Sequence, residues 1–313
     1  MQFYFAPLEG VTDSIYRKLH HKYFPGVDRY FTPFFSPTIH RALTSKESRE
    51  LPFADSIDYV AVPQILTKVA EDFLWMANQC KDRGYSEVNL NLGCPSGTVT
   101  AKGKGSGMLR DLDALDRFLD AIYSAAPLDI SVKTRIGFTS SDEFSELLCI
   151  FNRYPIKELT IHPRIRSAFY SGKPDMEVFR LAAENSRNPL CYNGDICNAF
   201  QVAEIAKCFP FVDAVMIGRG LIADPGMLNQ STTPSLLCAF TDELLAAYVD
   251  AFGGARNAMF RMKEHWRYII CKFNTDDKLA KQLRKSTDLA EFQTITHRIL
   301  TECPMRDITM QLW

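Results

Sequence analysis

The most regular feature of the chain is an alternation at residues 87–92, where Val88, Leu90 and Leu92 interleave with Asn89 and Asn91. Period-two alternation predicts a strand with one apolar and one polar face. Short β-rich runs of this length recur, and strands are expected near 3–6, 29–31, 59–64, 87–92, 130–133, 158–162, 190–193 and 214–217. Between them the apolar spacing becomes helical. In AEDFLWMANQCKDRG, Phe73, Leu74, Ala77 and Cys80 share a helical face, and Gly84 supplies the stop. In DLDALDRFLDAIYSAA, Leu112, Leu115, Leu119 and Ile122 repeat the pattern behind Asp111, a predicted N-cap or first-turn acid. DEFSELLCIFNRY and NAFQVAEIAKCF fill later gaps.

Eight strands alternating with helices predict an α/β protein with a parallel sheet. Eight is the closing number of the (β/α)8 TIM barrel, and the roughly 220 residues used here are close to that fold's usual length. A doubly wound sheet is the alternative, but it usually carries a G-x-G-x-x-G turn after its first strand. The segment at that place, APLEGVTD, does not have that pattern. The barrel domain is expected to span 1–229, followed by QSTTPS at 230–235 as a polar linker. Over 236–313, DELLAAYVDAF, NAMFRMKEHWRYIICKF and DLAEFQTITHRIL predict a small C-terminal helical bundle domain.

Charge changes the picture only locally. With 36 Lys and Arg against 37 Asp and Glu, the net charge is −1, so any nucleic-acid partner must be held by a local basic cluster. No apolar run reaches the roughly 20 residues of a spanning helix. The start, MQFYFAPLEG, lacks a basic n-region, and a cytoplasmic location with no membrane partner is expected. Nine scattered cysteines contain no C-x-x-C pair, so neither a disulfide framework nor a zinc site is expected. Cys94 stands apart, because Gly93 and Pro95 flank it on the corner after a strand.

Barrel chemistry gathers at the carboxyl ends of the strands. Those ends carry Pro7, Gln64, Asn91, Lys133, His162, Asn193 and the Gly218-Arg219-Gly220 turn. Asn193-Gly194-Asp195 and Gly218-Arg219-Gly220 follow the last two strands, where barrel phosphate sites frequently form. Glycine lets backbone N–H groups approach phosphate oxygens, and Arg219 can pair with them. Lys133 can neutralise an anionic ring or phosphate. The set suits a phosphorylated, partly aromatic cofactor, and flavin mononucleotide (FMN) fits. Gln64 and Asn91 would meet the polar edge of its ring, Lys133 its N1–O2 side, and Pro7 and Leu8 its apolar parts.

The chain resembles the tRNA-dihydrouridine synthase family. The resemblance rests on APLEGVTDS (6–14), VPQI (62–65), NLNLGCPSGTVTAKGKGSGML (89–109), SVKTRIG (131–137), IHPR (161–164), YSGKPDM (170–176), YNGDI (192–196) and AVMIGRGLIADP (214–225), in family order. It implies an FMN-bound barrel, a helical domain that holds tRNA, and reduction of the C5=C6 bond of a uridine with NADPH as electron source. It implies hydride transfer from flavin N5 to C6 and a proton from a loop cysteine, here Cys94, to C5. Gln64, Lys133 and His162 then carry the flavin contacts, the Asn193–Gly194 and Gly218–Arg219 turns the phosphate contacts, and Asn91 lies near the uracil and flavin. Three departures stand out: Leu8 replaces a usual Met, Pro163-Arg164-Ile165 replaces small-Arg-Thr, and Gly107-Met108 replaces small and Leu-like residues.

An acid acting on a flipped base belongs on a loop. The glycines of 97–107 predict a mobile one that closes over the base, with Lys102 and Lys104 meeting phosphates. Arg135, Arg164, Arg166, Lys173 and Arg219 are expected on the same barrel face, partly as a basic rim. In RNAMFRMKEHWRYIICK, Arg256, Lys263 and Arg267 are spaced to share one helix face and are expected to contact the RNA backbone, while Trp266 and Tyr268 are expected in the core. Two other readings are a flavin barrel acting on a free pyrimidine or enone, and a non-catalytic RNA-binding scaffold. A monomer is the default expectation.

Overall fold

The computed structural model describes residues 1–38 and 40–309; positions 310–313 of the expected helical domain lie outside the described residues. The strands are β1 (Gln2–Phe5), β2 (Arg29–Phe31), β3 (Ala61–Val62), β4 (Gln64–Ile65), β5 (Glu87–Leu92), β6 (Asp129–Arg135), β7 (Leu159–His162), β8 (Leu190–Tyr192) and β9 (Ala214–Ile217). They form one sheet in the order β3-β2-β1-β9-β8-β7-β6-β5-β4, and every pairing with a defined register is parallel.

The sheet's two ends, β3 and β4, are halves of the single strand expected near 59–64. Pro63 separates them because it has no N–H to give the ladder, although its carbonyl still accepts from the Asn89 N–H at 2.8 Å. With β3 on β2 and β4 on β5, the ladder curls into a nearly closed barrel with eight strand positions. This is the expected TIM-barrel class.

The alternation in β5 is read out as inside and outside. Asn89 Nδ2 donates to Ser131 Oγ at 2.9 Å and Asn89 Oδ1 accepts from Gln64 Nε2 at 2.8 Å, so these polar side chains share one face. Val88, Leu90 and Leu92 are buried on the other. The helix Leu112–Ala125 follows, with Asp111 accepting from the Ala114 N–H as its N-cap and Leu115, Phe118, Leu119 and Ile122 buried.

The chain divides into two compact units. The first contains residues 1–7, 28–194 and 204–216, and with them the barrel strands apart from Ile217 at the end of β9; the second contains 8–27, 195–203 and 217–313. In the second unit, Tyr16 stacks on His265 with ring centroids 4.6 Å apart, and Phe240 packs edge-on against Tyr16 and Phe24. His265 Nε2 is 2.9 Å from the Val11 carbonyl, and Tyr248 donates to Asp13 at 2.9 Å. Trp266 is buried there as expected. The polar linker is shorter than expected. Pro234 and Ser235 are already helical in Pro234–Phe252, with Thr233 capping the Leu236 N–H. Proline suits that first turn because its missing N–H would be unpaired anyway.

One turn of the first unit tests the packing directly. A Cβ on Gly137 would overlap the Ser140 carbonyl and lie 3.0 Å from Glu143 Oε2, whereas one on Gly97 meets nothing within 4 Å. Gly137→Ala is expected to destabilise by about 1–3 kcal/mol, and Gly97→Ala by no more than about 0.5 kcal/mol. Urea unfolding of the two variants and wild type checks this.

Candidate active site at the carboxyl ends of the strands

Four side-chain amide and hydroxyl groups run across the inner face of the barrel to Cys94. From Ser131 and Asn89 the chain passes through Gln64, whose Oε1 accepts from Asn91 Nδ2 at 2.7 Å. Asn91 Oδ1 then accepts the backbone N–H groups of Gly93 at 3.0 Å and Cys94 at 2.9 Å. Parallel register supports the run by setting Gln64 beside Asn89 and Asn91 beside Lys133. Gln64 is fully buried (0% exposed), so its amide is held by protein on both sides.

The stretch after Cys94 is folded into short helical turns packed against it. The Cys94 carbonyl accepts from the Ser106 N–H at 3.2 Å and from Ser106 Oγ at 2.8 Å. Gly105 has φ +59°, and a Cβ there would sit 3.0 Å from the Cys94 carbonyl and 3.1 Å from its Cβ. The helix Gly97–Thr100 and the 3-10 turn Gly105–Arg110 fill the rest, with Gly105 through Leu109 buried. Gly105 therefore serves close approach and a left-handed φ, and the stretch forms a packed brace against Cys94. Cys94 itself is only partly buried, and Gly97, Thr98, Ala101 and Lys102 face solvent.

Lys133 stands next to Asn91 on β6. Its Nζ donates to Asn193 Oδ1 at 2.7 Å, and Asn193 Nδ2 is anchored on the Met216 carbonyl at 2.7 Å. Among the described residues no carboxylate pairs with this ammonium. Burial, reinforced by the Arg135 guanidinium, pulls its pKa down to about 8, with the sulfurs of Cys191 and Cys94 acting in the opposite sense. A cation desolvated without a counter-charge suits an anionic ligand.

At the end of β7, His162 Nε2 is 3.0 Å from Arg164 Nη1. Arginine can only donate, so Nε2 accepts and the imidazole proton lies on Nδ1. Arg164 also donates to the carbonyls of Ser171 and Gly172, and Arg135 donates to those of Gly93 and Ile165. Arg135 and Arg164 are 1% and 3% exposed. Neither sits on a basic rim; each guanidinium is consumed in holding the loops around Cys94 and His162. Arg166 is partly buried and donates to Thr100 Oγ1 at 3.2 Å. Lys104 is partly buried on Ser36 Oγ at 3.0 Å, its pKa lowered by burial and by the Lys102 and Lys68 charges. Pro7 follows β1 and is half-buried, and Gly194 follows β8.

In the second unit, the Leu8 N–H donates to Thr12 Oγ1 at 2.9 Å. Arg219 pairs with Asp195 at 3.4 Å, and Gly218 precedes the short helix Arg219–Ala223. On the helix Ala255–Ile269, Arg256 and Arg267 are exposed. Lys263, expected beside them, instead donates to the carbonyls of Arg284 and Ser286 at the end of the helix Asp277–Lys285. A grouping that sequence spacing did not reveal is Cys238, Asp242 and His297, whose ligand atoms lie within 4.8 Å of one another. Asp242 is already bonded by both other groups, so the trio is satisfied as it stands.

The sequence model of the dihydrouridine synthase family matches residues 4–302. Among curated proteins, the chain is 26% identical over 300 residues to tRNA-dihydrouridine synthase B of Proteus vulgaris, covering 91% of each. It is 31% identical over 231 residues to a probable tRNA-dihydrouridine synthase of Staphylococcus aureus strain N315, covering 71% of this chain and 69% of that protein. Among solved structures, a mutant morphinone reductase in complex with tetrahydroNAD shares the fold with a TM-score of 0.52 at 11% identity, over 73% of this chain and 85% of that one. The class is that of a flavin-dependent barrel oxidoreductase. Within it, the chain belongs to the dihydrouridine synthase family.

The position of Lys133 makes a prediction about the ligand-free protein. Its pKa is lower folded than unfolded, so its charge opposes folding below about pH 8, by up to about 3 kcal/mol. That penalty fades as pH rises toward the ordinary lysine value, because the unfolded chain then holds the extra proton. Lys133→Met is expected to be more stable than wild type at pH 7, with the difference shrinking by pH 10. Urea midpoints at the two pH values measure it.

Proposed function

We propose that the chain is a tRNA-dihydrouridine synthase that uses FMN and NADPH to reduce the C5=C6 bond of a uridine in tRNA. The observation that carries this reading is the placement of Cys94. Its backbone is fixed by Asn91 on one side and Ser106 on the other, within electrostatic reach of a lysine that lacks a counter-charge. When bound, the reduced flavin supplies the hydride that adds to C6.

The chain's own residues do the rest. Lys133 would compensate negative charge on the bound flavin. Gln64 and Asn91, already locked to each other, orient the polar edge of the ring and the uracil, and Pro7 and Leu8 pack on apolar parts. His162 is held by Arg164 as the Nδ1–H tautomer and would line the flavin, as the family resemblance assigns. Asn193, Gly194, Asp195, Gly218 and Arg219 take the phosphate end, as the family resemblance assigns. Cys94 gives its proton to C5, a role open to a thiol, whose ordinary pKa of about 8.5 leaves such a group mostly protonated at neutral pH. The uridine must leave its stack to reach it.

The RNA backbone then falls to cations that remain exposed: Lys102 beside the site, and Arg256 and Arg267 on the helical region. Arg135, Arg164 and Lys263 act indirectly, by shaping loops and a helix end. Among the described residues no helix is long and apolar enough to cross a membrane, and a monomer in the cytoplasm is the proposed setting.

Cys94→Ala is expected to load flavin and to be reduced by NADPH like wild type. It should lower the single-turnover rate of dihydrouridine formation by about 100-fold or more. Stopped-flow flavin absorbance with and without unmodified tRNA separates the two steps. Tryptic mapping or circular dichroism confirms that the variant is folded.

A further inference from the structure

Four side chains of the first unit form an alternating series of guanidinium and aromatic groups. Arg110 Cζ lies 4.8 Å from the Phe138 ring centroid, Arg166 Cζ lies 5.3 Å from that same ring, and Arg166 Cζ lies 5.1 Å from the Phe169 ring. The series is tied to the Cys94 brace. Arg110 Nη2 donates to the Thr100 carbonyl at 3.1 Å and Arg166 Nη2 to Thr100 Oγ1 at 3.2 Å. The main chains are joined as well, through the Arg166 N–H on the Gly137 carbonyl at 2.9 Å. Among the described residues no carboxylate pairs with Arg110 or Arg166.

The series ends in an exposed ring. Phe169 is 43% exposed, and its only ring partner among the described residues is Arg166. Its backbone lies at φ +50° and ψ −98°, a conformation that a phenylalanine rarely adopts. A loop with no use for an outward ring would relax this strain or bury the side chain. Here the neighbouring Tyr170 turns to His162, with ring centroids 6.2 Å apart, and Phe169 turns to Arg166 instead. A free aromatic face backed by uncompensated guanidinium groups is the chemistry that receives an unpaired nucleobase together with its phosphate.

We propose that Phe169, supported by Arg166, Phe138 and Arg110, is a stacking site for an unpaired base of the RNA substrate, next to the uridine that is reduced. The two guanidinium groups attract the phosphates flanking that base. This inference rests on the tRNA-dihydrouridine synthase reading.

The test uses flavin-loaded wild type, Phe169→Ala and Phe169→Trp, with tRNA from a host that lacks dihydrouridine synthases. Phe169→Ala is expected to raise KM for tRNA by about tenfold, with kcat within about twofold and the flavin spectrum unchanged. Phe169→Trp should keep KM at or below the wild-type value, a rescue that a purely structural role would not give. An unchanged KM in Phe169→Ala, with wild type active, overturns the proposal. If wild type forms no dihydrouridine, the tRNA reading fails on its own. The stacking site is then tested by fluorescence anisotropy with a labelled oligoadenylate. A loss of fivefold or more in Phe169→Ala supports it, and equal affinity rejects it.

Discussion

Everything at the candidate site depends on one constraint, that the amides inside the barrel must satisfy one another. Asn89, Gln64 and Asn91 are buried side chains of adjacent strands that bond to one another. An orphaned buried donor or acceptor costs about 1–3 kcal/mol, far more than a satisfied one gains. The observed arrangement leaves none of the three orphaned, running from Ser131 to the N–H groups of Gly93 and Cys94. The corner that carries the thiol is therefore held from two sides, by Asn91 of the barrel interior and by Ser106 of the loop that follows.

The same interior sets the electrostatics. Lys133 occupies the next inward position along the ladder and finds an amide oxygen rather than a carboxylate. Its desolvated charge, without a carboxylate partner among the described residues, favours an anion. Around it, Arg135 and Arg164 are turned inward to carbonyl oxygens, so the site is framed by guanidinium groups that hold loops in place. Positive charge is thus concentrated in a protein whose net charge is only −1.

Much of this was legible in the chain. The alternation of Val88, Asn89, Leu90, Asn91 and Leu92 gives both a strand and its two faces, and the strand ends name Gln64, Asn91, Lys133, His162 and Asn193. What was not legible is how a polar side chain spends its bonds. Arg164 and Lys263 look like surface cations in a one-dimensional pattern, yet carbonyls brought close only by folding claim them. Glycines at 103, 105 and 107 suggest freedom, but Gly105 and Gly107 are small because Cys94 and Thr100 press against them. The helix Ser14–Tyr23 escaped apolar spacing because the face it buries includes Arg17 and His20. The series from Arg110 to Phe169 draws on three loops and has no sequence signature at all.

The most direct measurement is to express the protein in a host stripped of its own dihydrouridine synthases and map dihydrouridine across every tRNA by reduction-sensitive sequencing. The account predicts dihydrouridine at a defined uridine position. Soluble, flavin-loaded protein that leaves every tRNA unmodified would contradict it.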